Sequence, residues 1–189
     1  MKTDRRMEVV DACLNLFVKK GLYQTSTRDL SKAIKLQSGG LYYYFQTKDQ
    51  AVLACVERAI RTLEETLILP VTQELNSPAC IIRNTLLRAD KVAPVYQFVV
   101  TVCSDKKYQE NTKPILDELG KRYQYYSEQL AAQLNCQTQD IAPYVYMCIT
   151  AITNYMVFKE LSFVAPQLQV VQNKLDDLFA KMQKSNKTT

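Results

Sequence analysis

Six side chains in the first fifty residues combine hydroxyls and cations in a way that suits a single polyanionic surface: Thr27, Arg28, Lys32, Tyr42, Thr47 and Lys48. Helices opening near Thr27 and Thr47 would each present free N–H groups to phosphate. Between them lie Gly39 and Gly40, at or near the start of a short helix. Each costs roughly 0.8–1 kcal/mol relative to alanine inside a helix, so a bare backbone there suits close approach to a neighbouring helix or to a phosphate. Tyr42, Tyr43 and Tyr44 follow as an uninterrupted aromatic run. Successive helical positions point about 100° apart, so at least one ring faces solvent with its hydroxyl outward, and the others read as core.

Other chemistries are poorly supplied. The 189 residues include no histidine, which removes the usual general base and metal ligand, so an enzyme is not expected. Six cysteines (Cys13, Cys55, Cys80, Cys103, Cys136 and Cys148) are scattered with no C-x-x-C pair. They build no common zinc framework, and neither a metal nor a cofactor is expected. They read as small core hydrophobes, the alternative being a thiol sensor, which needs a depressed pKa. The net charge is +5, and residues 1–50, with nine basic and five acidic side chains, carry +4 of it. A basic segment on a near-neutral body points to a polyanion partner at that end.

The elements that must position these residues read as helices throughout. Only 4 glycines and 6 prolines interrupt the chain, and no strand alternation is evident, which predicts an all-α fold. A first helix runs over about 3–20, with Val9, Cys13, Leu16 and Phe17 on one face and Gly21 as a left-handed C-cap. Thr27 is placed to cap a second helix carrying Leu30, Ala33 and Ile34. Lys35-Leu36-Gln37 makes a turn, and a third short helix follows through Phe45. Thr47-Lys48-Asp49-Gln50 is a capping box that opens a fourth helix over about 47–69. Ser77-Pro78 starts the next, Pro114 sits in the first turn of another, Thr138 caps a helix reaching about Phe163, and Ala165-Pro166 starts the last. The pattern predicts about nine helices in two parts: a three-helix head over 1–46, and a larger body over 47–189 joined to it by the fourth helix. The N-terminus lacks the apolar run of a leader peptide, and no uncharged apolar run is expected to reach the ~20 residues of a membrane span. The expectation is a soluble cytoplasmic protein with no membrane partner.

Two short helices joined by a tight turn match a helix-turn-helix, whose second helix enters the DNA major groove. Residues 6–53 closely resemble the DNA-binding domain of the TetR (tetracycline repressor) family. The resemblance is carried by Ala12, Leu16-Phe17, Gly21, Thr25, Thr27, Leu30, Ala33, Gly39, Leu41-Tyr42, Tyr44-Phe45 and Thr47-Lys48-Asp49. It covers about a quarter of the chain. One departure is Gln37, where the family commonly has a Ser or Thr cap; Gln is a weak N-cap, and Ser38 would start the helix one residue later.

The resemblance implies a homodimeric transcriptional regulator, usually a repressor, that binds a palindromic double-stranded operator and is released by a small-molecule effector. Tyr42, Lys48 and the Thr27 end of the second helix would contact phosphate, with Thr47 and the bare backbone at Gly39 beside them. Arg28, Gln37, Ser38 and Tyr43 are the candidates for base or groove contacts. No arginine or lysine lies within 37–45, so bidentate guanine readout from that segment is not available, leaving Gln37, apolar contacts and DNA shape.

The body is less specific. Tyr96, Phe98, Tyr123, Tyr126, Met147, Tyr155 and Phe158 are candidate walls of an effector pocket that would suit an aromatic or lipophilic ligand. Each is also an ordinary core candidate. Val145, Cys148, Ile149 and Ile152, with Val171, Leu175 and Leu178, have the spacing of a dimer interface built from the last two helices. Two alternatives keep the fold and change the role: a DNA-binding architectural factor without an inducer, and a small-molecule-binding protein whose head is not a specific DNA reader.

Overall fold

The computed structural model describes residues 2–34, 40–73 and 77–185. Among them every regular element is a helix. The order is α1 (Lys2–Lys20), α2 (Thr27–Ala33), α3 (Gly40–Tyr44), α4 (Lys48–Leu63), α5 (Leu69–Gln73), α6 (Pro78–Ser104), α7 (Gln109–Gln133), α8 (Thr138–Phe158) and α9 (Leu161–Ser185), with a π-helical turn at Glu64–Ile68 between α4 and α5. The fold is all-α: an N-terminal helix-turn-helix followed by a larger helical body. Packing divides the chain into two compact units, one of Met1–Leu63 with Pro94–Ile115, the other of Glu64–Ala93 with Leu116–Thr189. The chain passes between them three times, and each passage falls at a break in regular helical bonding. These breaks are the π turn beginning at Glu64, Pro94 inside α6, and Pro114 inside α7. A proline removes an N–H and a π turn re-spaces the carbonyls, so each weakens the local ladder.

In the first unit α1 packs against both α2 and α4, and α2 against α3. Val9, Cys13, Phe17, Leu30, Leu41, Phe45, Val52 and Val56 are all buried. Full burial of a side chain such as Phe17 or Leu30 contributes about 1.5–3 kcal/mol. The Phe17 ring is stacked on Phe98 of α6 at 5.6 Å. Burial pushes the Cys13 thiol up to about 11 and the Cys55 thiol well above its ordinary range, so neither is a thiolate at neutral pH.

The joints between these helices are set by polar chemistry. Gly21 closes α1 with φ +94°, its N–H donating to the Phe17 carbonyl at 2.8 Å. The buried Thr25 hydroxyl then donates to the Gly21 carbonyl at 2.7 Å. Lys20 pairs with Asp29 at 2.6 Å, and the turn between α6 and α7 is fastened by Lys107–Asp49 at 2.6 Å and by Tyr23 donating to Asp105.

The second unit is built on α8 and α9, which pack along one another. Their buried faces are Ile141, Ala151, Ile152 and Met156 on α8, and Val164, Leu168, Val171, Leu175 and Leu178 on α9. Glu64, 6% exposed, takes a hydrogen bond from Arg122 of α7 at 2.8 Å. Asp90 of α6 receives both Lys159, at 2.7 Å, and the Tyr155 hydroxyl, at 3.0 Å.

Several sequence expectations are corrected. The cap of α2 is Ser26, not Thr27, because Asp29 stands three residues on and completes a reciprocal capping box. At α4 the Thr47 hydroxyl accepts the Gln50 N–H at 3.2 Å, but the Gln50 side chain reaches back to the Gln46 N–H, so the box is only half formed. Helicity continues past Leu69 because Pro70 falls in the first turn of α5, where its missing N–H is tolerated. Gln137, not Thr138, precedes α8, and it makes no side-chain cap. Helix α8 ends at Phe158, where Lys159 adopts the left-handed conformation (φ 55°). Pro114 and Pro166 sit inside α7 and α9 rather than in their first turns, since buried Thr112 and Val164 draw the preceding residues into the helix. Finally, α8 is long and apolar enough, by length and composition, to cross a membrane; its stripe of buried residues packs on α9.

Replacing Gly21 by alanine should destabilise the chain by about 1–2 kcal/mol, because an L side chain is strained at that φ; urea denaturation checks this. Asp29, Asp49 and Asp105 are held below the usual carboxylate range, chiefly by Lys20, Lys107 and Tyr23 respectively. Groups with depressed folded pKa values contribute stability that is fully present above the unfolded value near 4 and is lost as pH falls through the folded values. Melting temperature should therefore be flat from pH 7 to about 5 and fall below about pH 4. A melting temperature unchanged down to about pH 2 would contradict this linkage.

Candidate nucleic-acid interface

The side chains named from sequence fall on three short stretches of the first unit. Helix α2 begins at Thr27, half-buried, followed by Arg28, exposed. The capping box consumes the Ser26 N–H and the Asp29 N–H at this helix start, and the Asp29 carboxylate sits there with Lys20 as its counter-ion. A pre-formed negative group thus already occupies part of the place where a phosphate would approach. Gln37, Ser38 and Gly39 lie outside the described residues.

Helix α3 starts at Gly40. Leu41 is 1% and Phe45 2% exposed, and these two residues, one turn apart, fix the helix onto the core. Tyr42 and Tyr43 are consequently turned outward, at 56% and 74% exposure. Tyr44 is half-buried, and the Tyr43 ring stands edge-on to it at 5.0 Å. The tyrosine run therefore offers two phenols to solvent. Arg6 of α1, which the sequence did not single out, stands over the Phe45 ring at 5.5 Å and adds a cation to α3's surroundings.

Thr47 is exposed and its hydroxyl is engaged in capping α4. Lys48 is half-buried. Its ammonium donates to the Leu22 carbonyl at 2.8 Å and lies 6.0 Å from the centre of the Phe17 ring. Burial, followed by the nearby Lys107, pulls its pKa below the ordinary lysine value, while Asp49 acts against them. Lys48 thus has a structural duty, tying α4 to the loop after α1. An ammonium has three N–H donors, so that bond leaves donors for a second acceptor.

The residues proposed for an effector pocket are divided by the structure. Tyr96 and Phe98 belong to the first unit, Phe98 buried as the partner of Phe17. Tyr123, Tyr126, Met147 and Tyr155 are half-buried in the second unit, and Phe158 is 63% exposed against Phe163. Tyr123 stands edge-on to Tyr146 at 6.3 Å, and burial raises the Tyr126 phenol. An open groove of about 370 Å³ in the second unit is lined by Asn135, Cys136, Asp140, Lys174 and Lys181 among others, and by none of these aromatic residues. Of the residues proposed for a dimer interface, Ile152, Val171, Leu175 and Leu178 are already buried within the chain, while Val145, Cys148 and Ile149 are half-buried. The large apolar side chains left exposed on α8 and α9 are Tyr146, Val157, Phe158, Leu161, Phe163 and Val170.

Comparison with known proteins agrees with this geometry. Residues 9–55 match the family model for bacterial regulatory proteins of the tetR family. Over 51 residues the chain is 39% identical to the HTH-type transcriptional repressor KstR2 of Rhodococcus jostii, a match covering 27% of this chain and 25% of that protein. It is 22% identical over 194 residues to the HTH-type transcriptional regulator YuxN of Bacillus subtilis, covering 94% of this chain and 64% of that one. The chain thus spans less than two thirds of either relative. Among solved structures, a tetR-family transcriptional regulator from Streptomyces coelicolor matches with a TM-score of 0.64 at 14% identity, over 97% of this chain and 83% of that one. Residues 9–55 are therefore similar to the N-terminal domain of bacterial regulatory proteins of the tetR family.

Proposed function

We propose that the protein is a sequence-specific regulator that binds a palindromic DNA operator as a homodimer, represses transcription there, and is released by a small apolar or aromatic effector. The observation that carries this reading is the exposure of Arg28, Tyr42 and Tyr43 on helices whose opposite faces are fully buried. Exposed phenols on a rigid, short helix are costly to solubility and suit hydrogen bonding to phosphate and van der Waals contact in a groove. Lys48 and Thr47 would add phosphate contacts at the start of α4. Gln37, Ser38 and Gly39, outside the described residues, are proposed for DNA contact on the sequence resemblance alone. The name of the Rhodococcus jostii relative, a repressor, supports repression.

Homodimerisation is supported by the apolar side chains that α8 and α9 leave in solvent, of which Phe158 and Phe163 are 63% and 60% exposed. A patch of that kind marks an interaction surface. Half-buried phenols and Met147 in the second unit are the support for an effector of apolar or aromatic character.

The test is fluorescence anisotropy of the full chain with labelled duplexes across a range of salt. Binding should weaken steeply with salt, as it does when phosphates are neutralised. Lys48→Ala should lower affinity on all sequences alike and reduce the salt slope by about 1 per subunit. Arg28→Ala should instead narrow the gap between preferred and unrelated sequences. Salt-independent binding, or variants indistinguishable from the parent while folded by circular dichroism, would overturn the reading.

A further inference from the structure

We propose that Lys107, on the turn between α6 and α7, is a positioning residue of the DNA-binding surface: it neutralises Asp49 and so leaves the adjacent Lys48 to a DNA phosphate. This rests on the reading that the start of α4 meets the DNA backbone. Lys48 and Asp49 are the first two residues of α4. A carboxylate at that place works against a phosphate contact twice, by repelling the phosphate and by competing for the Lys48 ammonium. A third group that cancels Asp49 removes both effects.

The geometry supplies that group. Lys107 Nζ lies 2.6 Å from Asp49 Oδ1, and the Tyr108 hydroxyl donates to the same oxygen at 2.7 Å. The turn that carries Lys107 is itself fixed. Its backbone N–H donates to Asp105 Oδ1 at 2.9 Å, and the other oxygen of Asp105 accepts the Tyr23 hydroxyl. Tyr108 is 4% exposed, so the turn is anchored by a buried ring beside the pair. All of these residues belong to the first compact unit. Lys107, and after it Tyr108, hold the Asp49 carboxyl below its usual range. Beside burial, Lys107 lowers and Asp49 raises the Lys48 pKa, so the charge on Asp49 and its neutralisation both bear on Lys48. The charge that prepares α4 for DNA thus comes from a segment 58 residues downstream of Asp49.

A double-mutant cycle on the full chain tests this. Lys107→Ala, Asp49→Asn and the double variant are titrated with a labelled random-sequence duplex pool at low and high salt. Circular dichroism and melting temperature are recorded for each. Lys107→Ala alone should weaken binding roughly three- to tenfold at low salt, with the loss shrinking as salt screens it. Added to Asp49→Asn, it should cause no further loss. An equal loss in both backgrounds would mean that Lys107 touches phosphate itself, and would overturn the proposal. A lowered melting temperature with unchanged affinity in the folded variant would overturn it as a purely structural pair. Failure of the parent chain to bind any duplex would refute the DNA-binding reading, and this inference with it, and is read directly from the parent titration.

Discussion

The burial of Phe17 is the constraint on which the first unit depends. Its ring, 1% exposed, is where α1, the Phe98 ring of α6 and the Lys48 side chain of α4 meet. With Phe17 fixed, its carbonyl receives the Gly21 N–H, the chain turns through a left-handed residue, and the Leu22 carbonyl is presented to Lys48. That bond ties the first residue of α4 to the loop after α1, and the start of α4 is the place proposed to meet DNA. A single aromatic side chain thereby couples hydrophobic packing to the position of a charged group. A loss of packing at this ring would be felt at the proposed DNA surface as a misplaced cation rather than as a missing contact.

The second theme is the management of charge. The segment is basic overall, yet the helix starts proposed to approach phosphate hold carboxylates, Asp29 at α2 and Asp49 at α4. Both serve folding, one as a capping group and one as an anchor for the α6–α7 turn, and both are ion-paired with lysines, Lys20 and Lys107. Folding and the proposed DNA binding make opposite demands at these positions. Pairing each carboxylate with a lysine lets the fold use it without leaving an uncompensated negative charge toward the proposed DNA surface.

Much of the head was legible in the sequence because its signals are local. Gly21 after two lysines, Leu41 and Phe45 one turn apart, and Thr47 before α4 each follow from spacing within a few residues. The cap of α2 was read one position late, at Thr27, although Asp29 three residues on completes a box only for Ser26. The prolines misled for a physical reason. Pro114 and Pro166 fit the first turn of a helix by rule, yet a proline removes only its own N–H, and one further turn, carrying buried Thr112 or Val164, forms ahead of each. What could not be read was the grouping of 94–115 with the head. It rests on Phe17–Phe98, Tyr23–Asp105 and Asp49–Lys107, pairs separated by 58 residues or more that leave no periodic trace. For the same reason the spacing of Ile152, Val171, Leu175 and Leu178 marks an apolar stripe correctly without saying which surface covers it; within the chain α8 and α9 cover each other.

The most direct measurement of the proposed DNA recognition is selection of bound sequences from a random duplex pool by the 189-residue chain. The account predicts enrichment of a two-fold symmetric sequence whose half-sites recur at about one helical turn or a multiple of it, as two heads related by a dyad require. A pool that stays unenriched, with binding uniform across sequences, would contradict it.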